Sequence, residues 1–176
     1  MNNFELFQEL MKTREGLAGD IAEFGVYAGD TTRLLAGLGR RVWAFDTYNG
    51  MPALDYDYNS DQDRCNPPGK FNPCKTPGEL FEGYKNITPV VGRFADTLQT
   101  IKPSVKFVLV FVDCDYYASH KQVLRWLPRR LVDGAVLVFD DYQRCKGAKN
   151  AIDEFLQKYK DLKLEYEDRV IQWLKV

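Results

Sequence analysis

The sequence predicts an α/β protein of the doubly wound type, with helices covering both faces of a mainly parallel sheet. Three observations predict it. Short β-rich apolar runs alternate with helical stretches along the chain. Two of these runs, 105–113 (VKFVLVFVD) and 135–140 (AVLVFD), are apolar almost throughout, as strands covered on both faces must be. Each of the first five runs closes on a glycine or an aspartate, which gathers special residues at corresponding strand ends.

In chain order, residues 1–18 read as an amphipathic helix that is acidic from Glu5 onward. That acidity, without a continuous apolar segment, argues against a signal peptide. Residues 20–25 (DIAEFG) are the first strand and 31–38 the helix after it. Residues 41–46 (RVWAFD) are the second strand. From Asn49 to Thr76 the chain is rich in Pro, Gly, Asn and Asp, which marks a long irregular connection. Loops this long inside a compact domain usually act in function, and 53–76 is expected to be a mobile insertion over the substrate side. Thr76 followed by Pro77 announces a helix over 77–84. Strands follow at 88–92, 105–113 and 135–140, with helices over 119–131 and 147–159. Residues 163–167 and 170–176 look like a closing antiparallel pair, giving seven strands with an antiparallel strand at the C-terminal end. No repeat or linker divides the 176 residues, so one domain is expected.

Composition bounds the partners. Lys and Arg are scattered among Asp and Glu, with a formal net charge of −1. No basic field therefore marks a nucleic acid or an anionic membrane as partner. No run approaches the roughly 20 apolar residues of a membrane span, and a cytoplasmic location is the expectation. The cysteines at 65, 74, 114 and 145 form no C-x-x-C pair, and His120 is the single histidine. A Cys/His zinc site is thus not expected. Cys65 and Cys74 share one loop and are close enough in sequence to pair, but without a secretion signal free thiols are the expectation.

The chemistry lies at the strand ends. Glu23 and Gly25, Asp46, Gly92 to Phe94, Asp113, and Asp140 with Asp141 all fall at the carboxyl ends of runs, and in a parallel sheet those ends share one edge. In the first turn (Glu23-Phe24-Gly25-Val26-Tyr27-Ala28-Gly29) the glycines permit a tight turn and a close backbone approach to a ligand. The spacing is not that of G-x-G-x-x-G. Asp46 is placed to accept from both hydroxyls of a ribose, a role that would serve NAD as well as other nucleoside cofactors. Asp113, Asp140 and Asp141 would repel one another at a partly buried rim. A hard divalent cation such as Mg²⁺ relieves that repulsion; the bland alternative is that Asp140 and Asp141 cap the next helix and Asp115 is solvated.

These pieces together resemble the macrocin O-methyltransferase family, class I methyltransferases that modify sugars of macrolide antibiotics. The matching segments, in the family's order, are GDIAEFGVYAGDT (19–31), FDTYNGMP (45–52), VVGRFADTL (90–98) and VDCDYYASHKQVLRWLPRRLVDGAVLVFDDY (112–142). The resemblance implies a Rossmann-like fold and S-adenosylmethionine as methyl donor, with a small-molecule or sugar-containing hydroxyl as acceptor. By position it assigns Glu23, Gly25 and Gly29 to the methionine and ribose side, with Phe24, Val26, Thr31, Thr47 and Asp113 also counted in the cofactor site. Asp46 goes to the ribose, and Phe94 and Ala95 to the adenine. Asp113, Asp140 and Asp141 become ligands of Mg²⁺, and Asp113 also the assistant to deprotonation. Relative to the family, only residues 1–19 precede the first strand and 55–76 carries no histidine. An open site, or one completed by a second copy in a homo-oligomer, is the corresponding expectation. His120 and the tyrosines at 56, 58, 116 and 117 are read as packing residues, the tyrosines equally as substrate contacts.

Overall fold

The computed structural model describes residues 2–61, 66–162, 164–165 and 169–173. Helix α1 (Asn3–Lys12) opens with a capping box between Asn2 and Glu5 and buries Leu6, Phe7, Leu10 and Met11. Then come β1 (Asp20–Phe24), α2 (Asp30–Ala36) and β2 (Val42–Asp46). The long connection carries a 3-10 turn (Ala53–Asp55), α3 (Tyr58–Asp61) and α4 (Pro77–Leu80). After it run β3 (Ile87–Val91), α5 (Phe94–Thr97), β4 (Phe107–Val112), α6 (Tyr117–Trp126), β5 (Leu131–Phe139) and α7 (Lys146–Lys158). The short β6 (Leu164–Glu165) and β7 (Val170–Gln172) close the sheet.

The seven strands lie in the order β3-β2-β1-β4-β5-β7-β6. Strands β1 to β5 are parallel, and β7 runs antiparallel to β5 and to β6. This is the doubly wound arrangement expected, with the chain reversing its direction of travel across the sheet between β1 and β4. One apolar cluster sits under α1 and α2 and includes Phe7, Leu35, Leu109 and Val138. The other sits under α6 and α7 and includes Phe24, Val110, Leu127 and Ile152. All six residues of β4 are buried, which explains why it read so clearly in sequence. No helix among the described residues is long and apolar enough to cross a membrane.

Several boundaries differ from expectation for local reasons. The helix predicted over 119–131 begins at Tyr117, and its α-helical part stops at Trp126, just before Pro128, which cannot donate to the ladder. Residues 131–134 belong instead to β5, whose register to β4 shifts between Phe107–Leu131 and Leu109–Val136. The helix predicted over 77–84 is one turn long, although Thr76 and Glu79 form the expected capping box. Within the loop, Asp61 is fully buried and accepts from the Tyr117 N–H at 2.8 Å, so it caps α6 from a distance. The Tyr116 hydroxyl donates to the Asn66 carbonyl at 2.8 Å. The pairing of Cys65 with Cys74 lies outside the described residues, as Cys65 is not among them; Cys114 and Cys145 are buried thiols.

Candidate active site

At the carboxyl edge of β1, β2, β3 and β4 the chain leaves an open cavity of about 230 Å³. Of the residues implicated by sequence, Glu23, Gly25, Val26, Thr31, Asp46, Thr47, Phe94 and Asp113 line it. Phe24, Gly29, Ala95, Asp140 and Asp141 do not. Phe24 points into the core, stacked on Phe45 at 4.6 Å, because alternate residues of a strand face opposite sides. Gly29 is the left-handed N-cap of α2, and a Cβ there would press on the Phe81 ring. Ala95 is exposed on α5. Sequence reading missed several of the cavity's other residues, among them Met51, Asp55, Phe71 and Ser119. They come from loops and helix starts, where no periodicity marks them.

The first turn is held by Asp46. Its Oδ2 accepts from the Val26 N–H at 2.6 Å and the Tyr27 N–H at 3.2 Å, and its Oδ1 from the Tyr48 N–H at 2.7 Å and the Thr47 hydroxyl at 3.3 Å. A carboxylate offers about four acceptor positions, so the two short contacts fix the side chain and the two long ones can yield to a ligand's hydroxyls. Beside it Glu23 is buried and accepts from the Thr32 hydroxyl. Burial lifts the Glu23 carboxyl well above its usual range; the Thr32 bond opposes this and the charges of Asp113 and Asp46 add to it. Such a group gains when a cation approaches.

Asp113 also belongs to a second constellation. One oxygen each from Asp113, Asp140 and Asp141 lies within 4.8 Å of the others. Burial, followed by the charges of Asp141, Asp140 and Asp115, raises Asp113 well above the carboxylate range. Burial, followed by Asp115, pushes Asp141 up to about 8. Asp140 is already balanced by Arg144 at 2.7 Å and Arg169 at 2.9 Å, so the unmet charge rests on Asp113 and Asp141. Three converging carboxylate oxygens, two of them electrostatically frustrated, fit a hard divalent cation.

The capping alternative does not describe these acids. Helix α7 starts at Lys146 with Cys145 as N-cap and no side-chain bond, while Asp141 Oδ2 accepts from the Asp115 N–H at 2.8 Å. Asp115 is 6% exposed rather than solvated. It lines the cavity, in a left-handed conformation (φ 56°), and its Oδ1 accepts from Asn66 Nδ2 at 3.0 Å and the Cys145 thiol at 3.2 Å.

His120 is a packing residue. It is fully buried, with Nδ1 3.1 Å from the Tyr116 carbonyl and 3.4 Å from Cys114 Sγ, and burial lowers its pKa to about 4. Tyr116 is likewise buried against the Tyr56 ring, and the Tyr117 hydroxyl donates to Glu154 on α7. The Tyr58 side chain lies outside the description.

Comparison with known proteins gives a consistent set of relatives. A demethyldecarbamoylnovobiocin O-methyltransferase of Streptomyces niveus is 27% identical over 156 residues, covering 80% of this chain and 59% of that protein. An 8-demethyl-8-(2,3-dimethoxy-alpha-L-rhamnosyl)-tetracenomycin-C 4'-O-methyltransferase of Streptomyces olivaceus is 27% identical over 161 residues, covering 82% and 60%. The chain thus spans about three fifths of the length of these two curated relatives. Among solved structures, the O-methyltransferase NovP superposes with a TM-score of 0.79 at 21% identity, covering 98% of this chain and 79% of that one. The calicheamicin methyltransferase CalS11 gives 0.80 at 22%, covering 97% and 78%. At such identities the two structures establish the Rossmann-like fold. Residues 1–170 match the family described as Macrocin-O-methyltransferase (TylF), and the chain belongs to that family.

Proposed function

We propose that this chain is an S-adenosylmethionine-dependent O-methyltransferase, assisted by Mg²⁺, that methylates a hydroxyl of a small or sugar-containing molecule. The observation that carries the reading is the meeting of the Glu23 turn, Asp46 and Asp113 on one cavity, with Asp113 shared by the carboxylate trio at its rim. Family membership and the acceptors named for the relatives agree with it.

When bound, the donor supplies a methyl group on a positively charged sulfur, and the cation supplies charge that acidifies a nearby hydroxyl. The chain's own contribution is placement. Asp46 holds the ribose hydroxyls, the buried Glu23 offers negative charge to the donor's cationic groups, and Phe94 packs against its base. Asp113, Asp140 and Asp141 would hold the cation. A carboxylate committed to a cation is a weak base, so proton acceptance is assigned to Asp115, which lines the same cavity, rather than to Asp113. The remaining requirement is to keep oxygen, methyl carbon and sulfur in line.

Two outcomes follow here. Asp46→Ala should weaken S-adenosylhomocysteine binding in calorimetry by about 1.5–3 kcal/mol, the worth of hydrogen bonds to a charged group. Unchanged affinity would remove Asp46 from the site. Mg²⁺ affinity should rise between about pH 6 and about pH 9. The raised carboxyl of Asp141 holds its proton below about 8 and that of Asp113 is raised in the same direction, so the cation has to displace protons from the site. The same titrations should show proton release on binding at the acid end. Affinity that is flat over this range, or tighter in acid, would contradict the assignment.

A further inference from the structure

Beside the carboxylate trio the fold gathers a second group of metal-ligating side chains, different in chemistry from the first. Asp115 follows β4, His120 lies on α6, Asp141 follows β5 and Cys145 is the N-cap of α7. Sequence spacing carries no zinc signature here, because the donors come from two separate segments, 115–120 and 141–145. In the structure, one ligand atom each of Asp115, Asp141 and Cys145 lies within 4.8 Å of the others. The Cys145 thiol stands 3.2 Å from Asp115 Oδ1.

The independent observation is His120, which is fully buried. Its Nδ1 lies 3.1 Å from the Tyr116 carbonyl. A carbonyl can only accept, so Nδ1 carries the ring proton and Nε2 offers a lone pair. Metal-bound histidines are commonly oriented in this way, through the other ring nitrogen. Nε2 is buried with no hydrogen-bond partner among the described residues, which is uncommon in a folded protein. It faces Asp141 Oδ2 at 3.9 Å, too far for a hydrogen bond. Two lone pairs turned toward each other are relieved by a cation between them. Zinc bonds of about 2.0–2.3 Å set tetrahedral ligand atoms roughly 3.3–3.8 Å apart. The thiol–carboxylate and imidazole–carboxylate spacings fall on either side of that range.

We propose that Asp115, Asp141, Cys145 and His120 form a second cation site, for a softer divalent ion such as Zn²⁺. One thiolate, one imidazole and two carboxylates suit such an ion, whereas the all-oxygen trio suits Mg²⁺. The ion enters past Asp115, which lines the open cavity, and the Cys145 thiol releases its proton to solvent as the metal takes its place. The two sites share Asp141, so an ion held here withdraws a ligand from the trio and weakens Mg²⁺ binding. The site stands on its own geometry and does not require the methyl-transfer reading.

Cobalt(II) is the probe, because a cobalt–thiolate bond gives a near-ultraviolet charge-transfer band that an all-oxygen site does not. Titrated into the unaltered chain in the presence of Mg²⁺, Co²⁺ should produce this band, saturating at one equivalent, and Zn²⁺ should bleach it. Cys145→Ser should lose the band while still binding Mg²⁺, whereas Cys74→Ser and Cys114→Ser should keep it. Calorimetry should show Mg²⁺ affinity falling about tenfold or more in the Zn²⁺-loaded chain, by the reciprocity of coupled sites. Absence of a thiolate band in the unaltered chain would overturn the inference without any variant. So would a band undiminished in Cys145→Ser, or Mg²⁺ affinity unaffected by Zn²⁺. No donor or acceptor molecule is added, so failure here leaves the methyl-transfer reading untouched.

Discussion

Replacing Gly25 by alanine should cost the chain several kcal/mol of stability and its cofactor site together. A Cβ at this position would lie 1.7 Å from the Asp113 carbonyl oxygen and 2.7 Å from its carbon. Both are backbone atoms of the neighbouring strand end, so no side-chain rotation can relieve the clash. The residue also sits at φ +91°, where a side chain is strained whatever the space. The strand ends cannot simply part. The Gly25 N–H donates to the Phe45 carbonyl at 3.0 Å, and the Asp113 N–H to the Phe24 carbonyl at 2.8 Å. A loss of about 4 kcal/mol corresponds to roughly 8–16 °C in melting temperature for a domain of this size. Thermal melting of the variant reads this directly. A melting point within about 2 °C of the parent, with intact S-adenosylhomocysteine binding, would show that the turn has room the geometry does not reveal.

The second large effect is on rate. EDTA should lower methyl transfer at least about a hundredfold, with recovery on adding Mg²⁺, because the charge needed to acidify the acceptor is worth several kcal/mol. Asp113→Asn and an Asp140→Ala/Asp141→Ala double variant should show the same loss through weakened Mg²⁺ binding. Asp115→Asn should separate the roles: its turnover falls while its Mg²⁺ affinity changes much less than in the Asp113 and Asp140/Asp141 variants, as expected of a proton acceptor outside the trio. Full turnover in EDTA would remove the metal from the mechanism and leave the cofactor assignment standing. An Asp115→Asn chain with normal turnover would return proton acceptance to Asp113.

The sheet was legible because burial on both faces forces β4 and the second half of β5 to be apolar without interruption, and nothing else in the chain competes with that signal. The acids that close these strands were legible for the same reason, as charges following runs that exclude charge. Helix ends were less so. Pro128 marks the stop of α6, but a sequence does not say that the residues from Leu131 onward join a strand through a register shift. The four-residue helices at Tyr58–Asp61 and Phe94–Thr97 are too short to carry a period.

What remained hidden is non-local. Capping of α6 by Asp61 spans 56 positions, and the Asp55–Arg93 pair spans 38. Asp46 was placed correctly at the second strand end, yet its grip on the Val26 and Tyr27 amides needed the register of β1 against β2. The expectation of a flap over 53–76 stands as a proposal beside these same anchors. Any opening has to release Asp55 from Arg93, Asp61 from Tyr117 or Asn66 from Asp115.

The most direct test of the central claim needs no acceptor molecule. S-adenosylhomocysteine and NADH are titrated separately into the unaltered chain in a calorimeter, because a nucleoside-binding edge with an acid at the second strand end could in principle serve either. S-adenosylhomocysteine should give saturable heat at one equivalent per chain, and NADH none above dilution. Binding of NADH with no response to S-adenosylhomocysteine would contradict it.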